Sequence, residues 1–340
     1  MKRLVVCCDG TWNTAQQSCP TNVERMCKAI ASTDASGVPQ VVFYHDGVGA
    51  KRWERLRGGA FGFGLSRNVQ DAYRFLVDNY EPGDDLYLLG FSRGAYTARS
   101  TAGFVRNAGV LRPEHKDLVG RAYAMYRNKE KPDAPTAVAF RRQYAYADTT
   151  PIRFIGVWDT VGALGVPDLG LPGLKWLNRR WEFHDTTLSS RVQSAFQALA
   201  IDEARRPFMP TLWDAQPTAT DQQLEQVWFS GVHCDVGGGY KERELSDLSF
   251  YWMSVRAQGC GLALVSPPTP PDPGCVTGML HDSRTAFYKL IKPYDRPIGA
   301  KDPEHECVAS TAVERRKQVP AYAPPELVKY LDGSHQETSI

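Results

Sequence analysis

The feature of this sequence that most constrains its fold is the stretch from Asp84 to Arg99, DDLYLLGFSRGAYTAR. It begins with an apolar run short enough for a buried strand and passes through G-F-S-R-G at residues 90–94. It then continues into a segment that contains no helix-breaking residue. A G-x-S-x-G turn between a strand and a helix holds the serine hydroxyl out above the sheet. A glycine-rich turn without a chemical role is the plainer interpretation, but the flanking strand and helix favour Ser92 as a nucleophile.

Strand and helix patterns alternate along the rest of the chain. Apolar runs predict strands at residues 3–8, 40–44, 86–89, 152–157 and 226–230, the last of these being the final clear strand. Helical periodicity predicts helices at residues 24–31, 69–80, 100–108, 116–127, 191–201 and 245–258. This alternation predicts an α/β-hydrolase fold, a mostly parallel sheet with helices on both faces, in a single domain of residues 1–340. Residues 268–340 are rich in proline at their start and are predicted to be irregular and to wrap the core.

Three polar residues, Ser92, Asp159 and His233, follow predicted strands in the chain order that α/β-hydrolases use. A serine hydroxyl is a weak nucleophile at neutral pH, so an imidazole must accept its proton and a carboxylate must fix the imidazole tautomer. We therefore predict Ser92 as nucleophile, His233 as general base and Asp159 as its partner. Taken alone, Asp159 fits a helix N-cap and His233 fits an ordinary loop histidine. His281 is the alternative base.

An oxyanion hole needs backbone N–H donors close to the serine. One donor is predicted at Arg93, the residue after the nucleophile, and the second at Gly10 and Thr11 in the turn after the first strand. Asp9 and Asp235 would oppose a negative charge there. Each is therefore predicted to accept backbone N–H groups in its own turn.

Two other patterns suggest a cofactor at first sight. The glycine-rich residues 58–64 lack the Lys-Ser/Thr of a phosphate-binding loop and follow a loop, not a strand. A metal site can be drawn from Asp9, Asp46, His233 and Asp235, but their spacing does not demand one. We expect no cofactor and no metal.

Charge, termini and cysteines limit the expected partners and location. The net charge of +2 gives no electrostatic reason to expect nucleic acid. The N-terminal apolar run is too short for a signal peptide, and no apolar run approaches the length of a membrane span. The eight cysteines show neither a C-x-x-C pair nor zinc spacing. They favour free thiols in a cytoplasmic protein, with secretion by a route without a cleaved signal as the alternative.

Residues 163–181 form an apolar segment punctuated by glycine and proline, with Trp176 and Trp181 beside two arginines. Such a composition is typical of a lid or an interfacial patch over an acyl pocket, which would allow transient contact with a membrane. An ordinary surface excursion is the alternative.

Seven ordered blocks resemble a known family. They are CDGTWN at 8–13, TNV at 21–23, DGVG at 46–49, GGAFG at 58–62, GFSRGAYTAR at 90–99, VWDTVG at 157–162 and GVHCDVGGGY at 231–240. Together they resemble a largely uncharacterised α/β-hydrolase family that includes the type VI secretion phospholipase effectors of the first lipase class. The resemblance implies a serine esterase or lipase with Ser92, Asp159 and His233 at the triad positions. In effector members it implies activity on glycerophospholipids.

The sequence therefore predicts a serine hydrolase that cleaves carboxylic esters through an acyl-enzyme, with lipase and phospholipase as its specific forms. An amidase or peptidase with the same triad is one alternative, because the acyl-transfer chemistry is shared. A hydrolase-fold protein that binds a ligand without turnover is another. The expected partner is a small-molecule or lipid ester, joined by an immunity protein if the chain is an effector.

Overall fold

The computed structural model describes residues 1–10, 18–47, 60–128, 131–162, 186–216, 219–284, 288–289, 291–333 and 336–340. The segment predicted as a lid, 163–181, and the predicted oxyanion residue Thr11 lie outside the described residues.

The described residues form one eight-stranded sheet in which every neighbouring pair of strands is parallel. The strands are β1 Arg3–Cys8, β2 Gln40–His45, β3 Asp85–Phe91, β4 Ile152–Trp158, β5 Val192–Ala200, β6 Gln223–Phe229, β7 Glu306–Ala309 and β8 Glu337–Thr338. Their order across the sheet is β2-β1-β3-β4-β5-β6-β7-β8.

The α-helices connect these strands. They are α1 Asn22–Ala29, α2 Ala60–Asn79, α3 Arg93–Ala108, α4 Val119–Arg127, α5 Pro135–Tyr144, α6 His233–Gly237, α7 Glu244–Gly259, α8 Ser310–Gln318 and α9 Pro325–Asp332. Short 3-10 helices occur at Pro113–Leu118, Arg206–Phe208 and Pro273–Thr277. Within the described ranges, every helix is too short or too polar to cross a lipid bilayer.

Helices cover both faces of the sheet, because alternate strand residues belong to two separate clusters. Leu4 and Leu88 pack with side chains of α2 and α3 on one face. Val5 and Leu89 pack with side chains of α1 and α7 on the other. Strands buried on both faces are characteristic of parallel α/β sheets. The predicted α/β-hydrolase fold with helices on both faces is confirmed.

One predicted helix is wrong. Residues 191–201 were expected to be helical, but Val192–Ala200 is strand β5, paired with β4 on one side and β6 on the other. The apolar residues that suggested a helical face, among them Ala195, Phe196 and Leu199, are completely buried because helices cover both faces of this inner strand. A strand buried on both faces lacks the alternation that would identify it.

The C-terminal region also differs from its prediction. Strand β6 is not the last, and residues 268–340 are not irregular throughout. They contribute β7, which pairs with β6, and β8, which pairs with β7. Helices α8 and α9 place Ala312 and Leu327 in a third apolar cluster that includes Trp228 of β6. From β7 onward this region therefore extends the sheet.

The strand order fixes where a site can form. The chain moves from β1 to β2 on one side and then returns to place β3 on the other side of β1. In parallel sheets the crevice beyond the carboxyl ends of the strands at such a reversal is where ligands bind. Asp9 follows β1 and Ser92 follows β3, so both lie at this crevice.

Candidate active site

Ser92 occupies a sharp turn between β3 and α3. Its backbone has φ 58° and ψ −121°, a conformation that costs a non-glycine residue about 1–3 kcal/mol. The turn is fixed by a 3.0 Å hydrogen bond from the Ser92 N–H to the Trp158 carbonyl at the end of β4. This conformation holds the side chain out of the line of both the strand and the helix.

The two flanking glycines allow this turn because backbone passes very close to them. A Cβ atom on Gly94 would lie 2.0 Å from the carbonyl oxygen of Cys8 at the end of β1. A Cβ atom on Gly90 would lie 2.5 Å from the carbonyl oxygen of Gly94. Both distances are far below any real contact, so only glycine fits at either position.

The three predicted triad residues form one hydrogen-bonded chain. Ser92 Oγ lies 2.8 Å from His233 Nε2, and His233 Nδ1 lies 2.5 Å from Asp159 Oδ2. Ser92 follows β3, Asp159 follows β4 and His233 begins α6 just after β6, so three strand ends supply the set. The arrangement suits the tautomer in which Nδ1–H donates to the carboxylate and Nε2 accepts from the hydroxyl. The catalytic roles of the three residues stay predictions.

Arg296, which sequence reasoning missed, completes the surroundings of Asp159. Its Nη1 lies 2.6 Å from Asp159 Oδ1, and its Nη2 lies 3.1 Å from Oδ2. The same guanidinium donates to the carbonyl oxygens of Ala200, at 2.8 Å, and Phe208, at 2.5 Å. Its side chain is fully buried. Arg296 lies in a stretch without secondary structure, and no motif around it pointed to the site.

Asp159 is held in its ionised form. Burial by itself would raise the pKa of the Asp159 carboxyl, but the charge of Arg296 and the hydrogen bond from His233 outweigh it and bring the pKa well below its ordinary value. The Ala200 N–H donates a further 3.1 Å hydrogen bond to Oδ1. Asp159 itself has φ 36°, a second non-glycine residue in the left-handed region at this site.

The imidazole of His233 contacts two aromatic rings, and the backbone N–H of His233 meets a buried carboxylate. The Phe91 ring centroid lies 4.6 Å from that of His233, and the Phe208 ring meets it edge-on at 5.0 Å. The His233 N–H lies 3.3 Å from Glu203 Oε2. Burial would raise the pKa of Glu203, but hydrogen bonds and charge from Arg205 outweigh burial and lower it. The rings exclude water from the imidazole and fix its plane.

The predicted oxyanion donors are only partly placed. Arg93 is the first residue of α3, so its N–H lies at the positive end of that helix, beside Ser92. Burial lowers the pKa of the Arg93 guanidinium to about 10, which leaves it charged at neutral pH. The Gly10 N–H donates to Asp9 Oδ1 at 2.6 Å. The oxyanion hole stays a prediction.

Asp9 and Asp235 accept hydrogen bonds from backbone N–H groups of their own turns, as expected. Asp9 also accepts hydroxyl hydrogen bonds at 2.6 Å from Thr21 and from Tyr44. Asp235 accepts from the Val232 N–H at 3.0 Å.

His281, the alternative base, is paired with Asp235. Its Nδ1 lies 2.6 Å from Asp235 Oδ1, and the ring of Tyr240 stacks on it with centroids 3.9 Å apart. His281 and His233 are thus each paired with an aspartate, and it is His233, not His281, that meets the serine hydroxyl.

The cysteines close to the site are poor nucleophiles. Burial raises the pKa of Cys8 and of Cys234 to about 12, so neither thiol ionises appreciably at neutral pH. All eight cysteines are unbridged. Within the described ranges, no group of three or more histidine, cysteine or acidic side chains is arranged to hold a metal ion.

Comparison with known proteins identifies the family of this chain. Residues 2–256 match the family described as "T6SS, Phospholipase effector Tle1-like, catalytic domain". The uncharacterised protein YEL023C of Saccharomyces cerevisiae is 26% identical over 239 residues, which cover 64% of this chain and 33% of that protein.

Two solved structures are also similar. An uncharacterised protein from Pseudomonas aeruginosa superposes with a TM-score of 0.47 at 18% identity, covering 78% of this chain and 47% of that one. The Tle1 effector bound to the VgrG spike of the type 6 secretion system superposes with a TM-score of 0.37 at 20% identity, covering 71% of this chain and 51% of that one. This chain therefore spans about a third to a half of the length of these relatives.

Proposed function

Since this chain belongs to the Tle1-like catalytic-domain family of phospholipase effectors, we propose that it is a serine hydrolase that cleaves carboxylic esters of lipids through an acyl-enzyme. The observation that supports this most strongly is the hydrogen-bonded chain from Ser92 through His233 to Asp159.

In the proposed reaction, His233 Nε2 takes the Ser92 proton while Oγ bonds to the acyl carbonyl carbon. Asp159 stabilises the imidazolium that forms. The tetrahedral intermediate then breaks its bond to the alcohol oxygen, which leaves with the proton from His233. Water repeats the sequence: His233 accepts its proton, the hydroxide oxygen bonds to the acyl carbon, and Ser92 leaves as the restored hydroxyl.

The phospholipid form of the proposal is supported by the family. The ring of Phe208, which is half-buried and meets the His233 ring edge-on, suits an acyl chain better than a hydrated peptide. The lid at 163–181 and transient membrane contact belong to the same proposal.

The first experiment measures hydrolysis of p-nitrophenyl esters over a series of acyl lengths. Wild type is compared with Ser92→Ala, His233→Ala and His281→Ala. We expect the first two variants to lose several powers of ten in kcat and the third to keep wild-type activity within a few-fold. His281→Ala is the matched control, because it removes an imidazole that is also paired with an aspartate but does not meet the serine hydroxyl. An inactive His281→Ala beside an active His233→Ala would contradict the proposed base.

A second experiment separates the alternatives. A fluorophosphonate probe should label wild type but not Ser92→Ala, whereas a protein that only binds its ligand would not be labelled at all. Hydrolysis of phosphatidylcholine and phosphatidylethanolamine vesicles, compared with peptide amides, then distinguishes a phospholipase from a peptidase. Labelling together with amide but not ester turnover would refute the ester proposal.

A further inference from the structure

Asp159 shares its carboxylate between two cationic or potentially cationic partners. Oδ2 accepts from His233 Nδ1 at 2.5 Å and from Arg296 Nη2 at 3.1 Å, while Oδ1 accepts from Arg296 Nη1 at 2.6 Å. A two-pronged guanidinium fixes both the position and the plane of a carboxylate. The lone pair that Asp159 offers to His233 is thus aimed by Arg296.

Arg296 is itself held rigidly. It is 2% exposed and is anchored by hydrogen bonds to the Ala200 and Phe208 carbonyl oxygens. Phe208 is the residue whose ring meets the edge of His233. Arg296 therefore holds two of the groups that contact the imidazole: the Asp159 carboxylate and the segment that carries the Phe208 ring.

Arg296 also changes the charge that faces the imidazole. Two carboxylates lie near His233: Asp159, bound to Nδ1, and Glu203, bound to the backbone N–H. Arg296 offsets the first, and Arg205, whose Nη2 lies 2.8 Å from Glu203 Oε2, offsets the second. The formal charge of these four groups is zero. Without Arg296 it would be −1.

The other charged or titratable groups around His233 have partners of their own. In its own helix, Asp235 pairs with His281, and burial raises the pKa of Cys234 to about 12. Asp202 accepts from the Gly231 N–H and from the Tyr322 hydroxyl. Arg296 is therefore the group in the described part of the chain whose loss most directly changes the charge bound to the Nδ1 side of the imidazole.

We propose that Arg296 is a positioning residue of this site, whose guanidinium aims the Asp159 carboxylate at His233 and offsets the charge of that carboxylate. The proposal rests on the proposed serine hydrolase function. It predicts a specific change when the charge of Arg296 is removed: an uncompensated carboxylate favours the protonated imidazole.

The test compares the pH dependence of kcat/KM in wild type, Arg296→Gln, Arg296→Lys and Arg141→Gln. In Arg296→Gln we expect the acidic limb of the profile to move to higher pH. At a pH on that limb, kcat/KM should fall at least about tenfold further than on the alkaline plateau, since one charge a few ångströms away moves a titration by a unit or more. Arg296→Lys, which keeps the charge but not the fork, should keep the limb near its wild-type position while losing activity.

Arg141→Gln is the matched control. Arg141 is also 2% exposed and forms an ion pair, with Asp148 at 2.8 Å, but on the side of the molecule where α5 packs. Its loss removes a buried arginine without touching the site, so the limb should stay in place. An unchanged limb in folded Arg296→Gln, with activity reduced equally at every pH, would overturn the proposal. If Arg296→Gln does not fold, the test rests on Arg296→Lys. An acidic limb of its kcat/KM profile that moves away from the wild-type position would also overturn the proposal.

A readout without turnover keeps this test separate from that of the proposed function. Imidazole NMR signals of wild type, with the His233 signal assigned through His233→Gln, report protonation directly. Removing the charge of Arg296 should move protonation of His233 to higher pH even if no ester is hydrolysed. If wild type hydrolyses no ester but His233 is protonated at higher pH in Arg296→Gln than in wild type, the hydrolase proposal is refuted and the role of Arg296 is supported. If wild type hydrolyses esters but His233 is protonated at the same pH in both proteins, the hydrolase proposal stands and the role of Arg296 is refuted.

Discussion

The strained backbone at Ser92 predicts that one inactivating substitution stabilises the protein relative to another. Ser92→Ala and Ser92→Gly both remove the hydroxyl and its hydrogen bond to His233. Alanine keeps the cost of φ 58° and ψ −121°, about 1–3 kcal/mol, and glycine does not. Glycine adds about 0.5–1 kcal/mol of unfolded-state entropy in the other direction. The free energy of unfolding of Ser92→Gly should therefore exceed that of Ser92→Ala by about 1 kcal/mol.

Urea unfolding is the assay for this difference. In a chain of 340 residues, a change of 1 kcal/mol moves the Tm by only about 1–2 °C, because the unfolding entropy scales with length. The urea midpoint at an unchanged slope resolves it better.

Ser254 supplies the matched control. It is buried in α7, where the backbone is ordinary helix. Ser254→Gly should be less stable than Ser254→Ala by about 1 kcal/mol, the opposite order. If glycine is the less stable substitution at both positions, the strain argument is refuted.

Two further predictions concern Gly94, in the turn at Ser92, and the carboxyl group of Asp159. Gly94→Ala puts a Cβ atom 2.0 Å from the Cys8 carbonyl oxygen, so it should lower the free energy of unfolding by about 1–3 kcal/mol and abolish ester hydrolysis. Gly120→Ala in α4, whose Cβ meets no atom within 4 Å, should be neutral or stabilising in the same urea assay. The pKa of Asp159 is lower in the folded than in the unfolded protein, so its ionised form contributes stability above the unfolded value of about 3.9 and loses it as the pH falls. Asp159→Asn should therefore destabilise the protein at pH 7 and differ less from wild type below about pH 4; an equal difference from pH 7 to pH 3 would contradict this.

Much of this architecture could be predicted because strand ends and turns carry local signals. The stretch around Ser92 contains its strand, its two required glycines and its helix within residues 84–99. Asp159 and His233 also follow strands that are readable as apolar runs. Their chain order then fixed which strand ends had to be brought together.

The failures have a physical cause in common, which is that the decisive interactions are not local. Strand β5 is buried on both faces, so its apolar residues show no alternation and imitate a helix. Strands β7 and β8 have only four and two residues, too few for any periodic pattern. Arg296 lies 137 residues from Asp159, and an arginine in an irregular stretch shows nothing of a partner so distant.

That separation has a consequence for how the chain folds as it is made. At about 5–20 residues per second, a ribosome needs roughly 7–30 s to proceed from residue 159 to residue 296. By residue 229 the nascent chain holds the strands from β1 to β6, but until residue 296 it lacks the cation that neutralises Asp159. A bare carboxylate is costly to enclose, so Asp159 must stay hydrated or protonated and the carboxyl end of β4 must stay open. The site can therefore close only after residue 296 has been synthesised. A chain that stopped before that residue would leave the carboxyl end of β4 open to water.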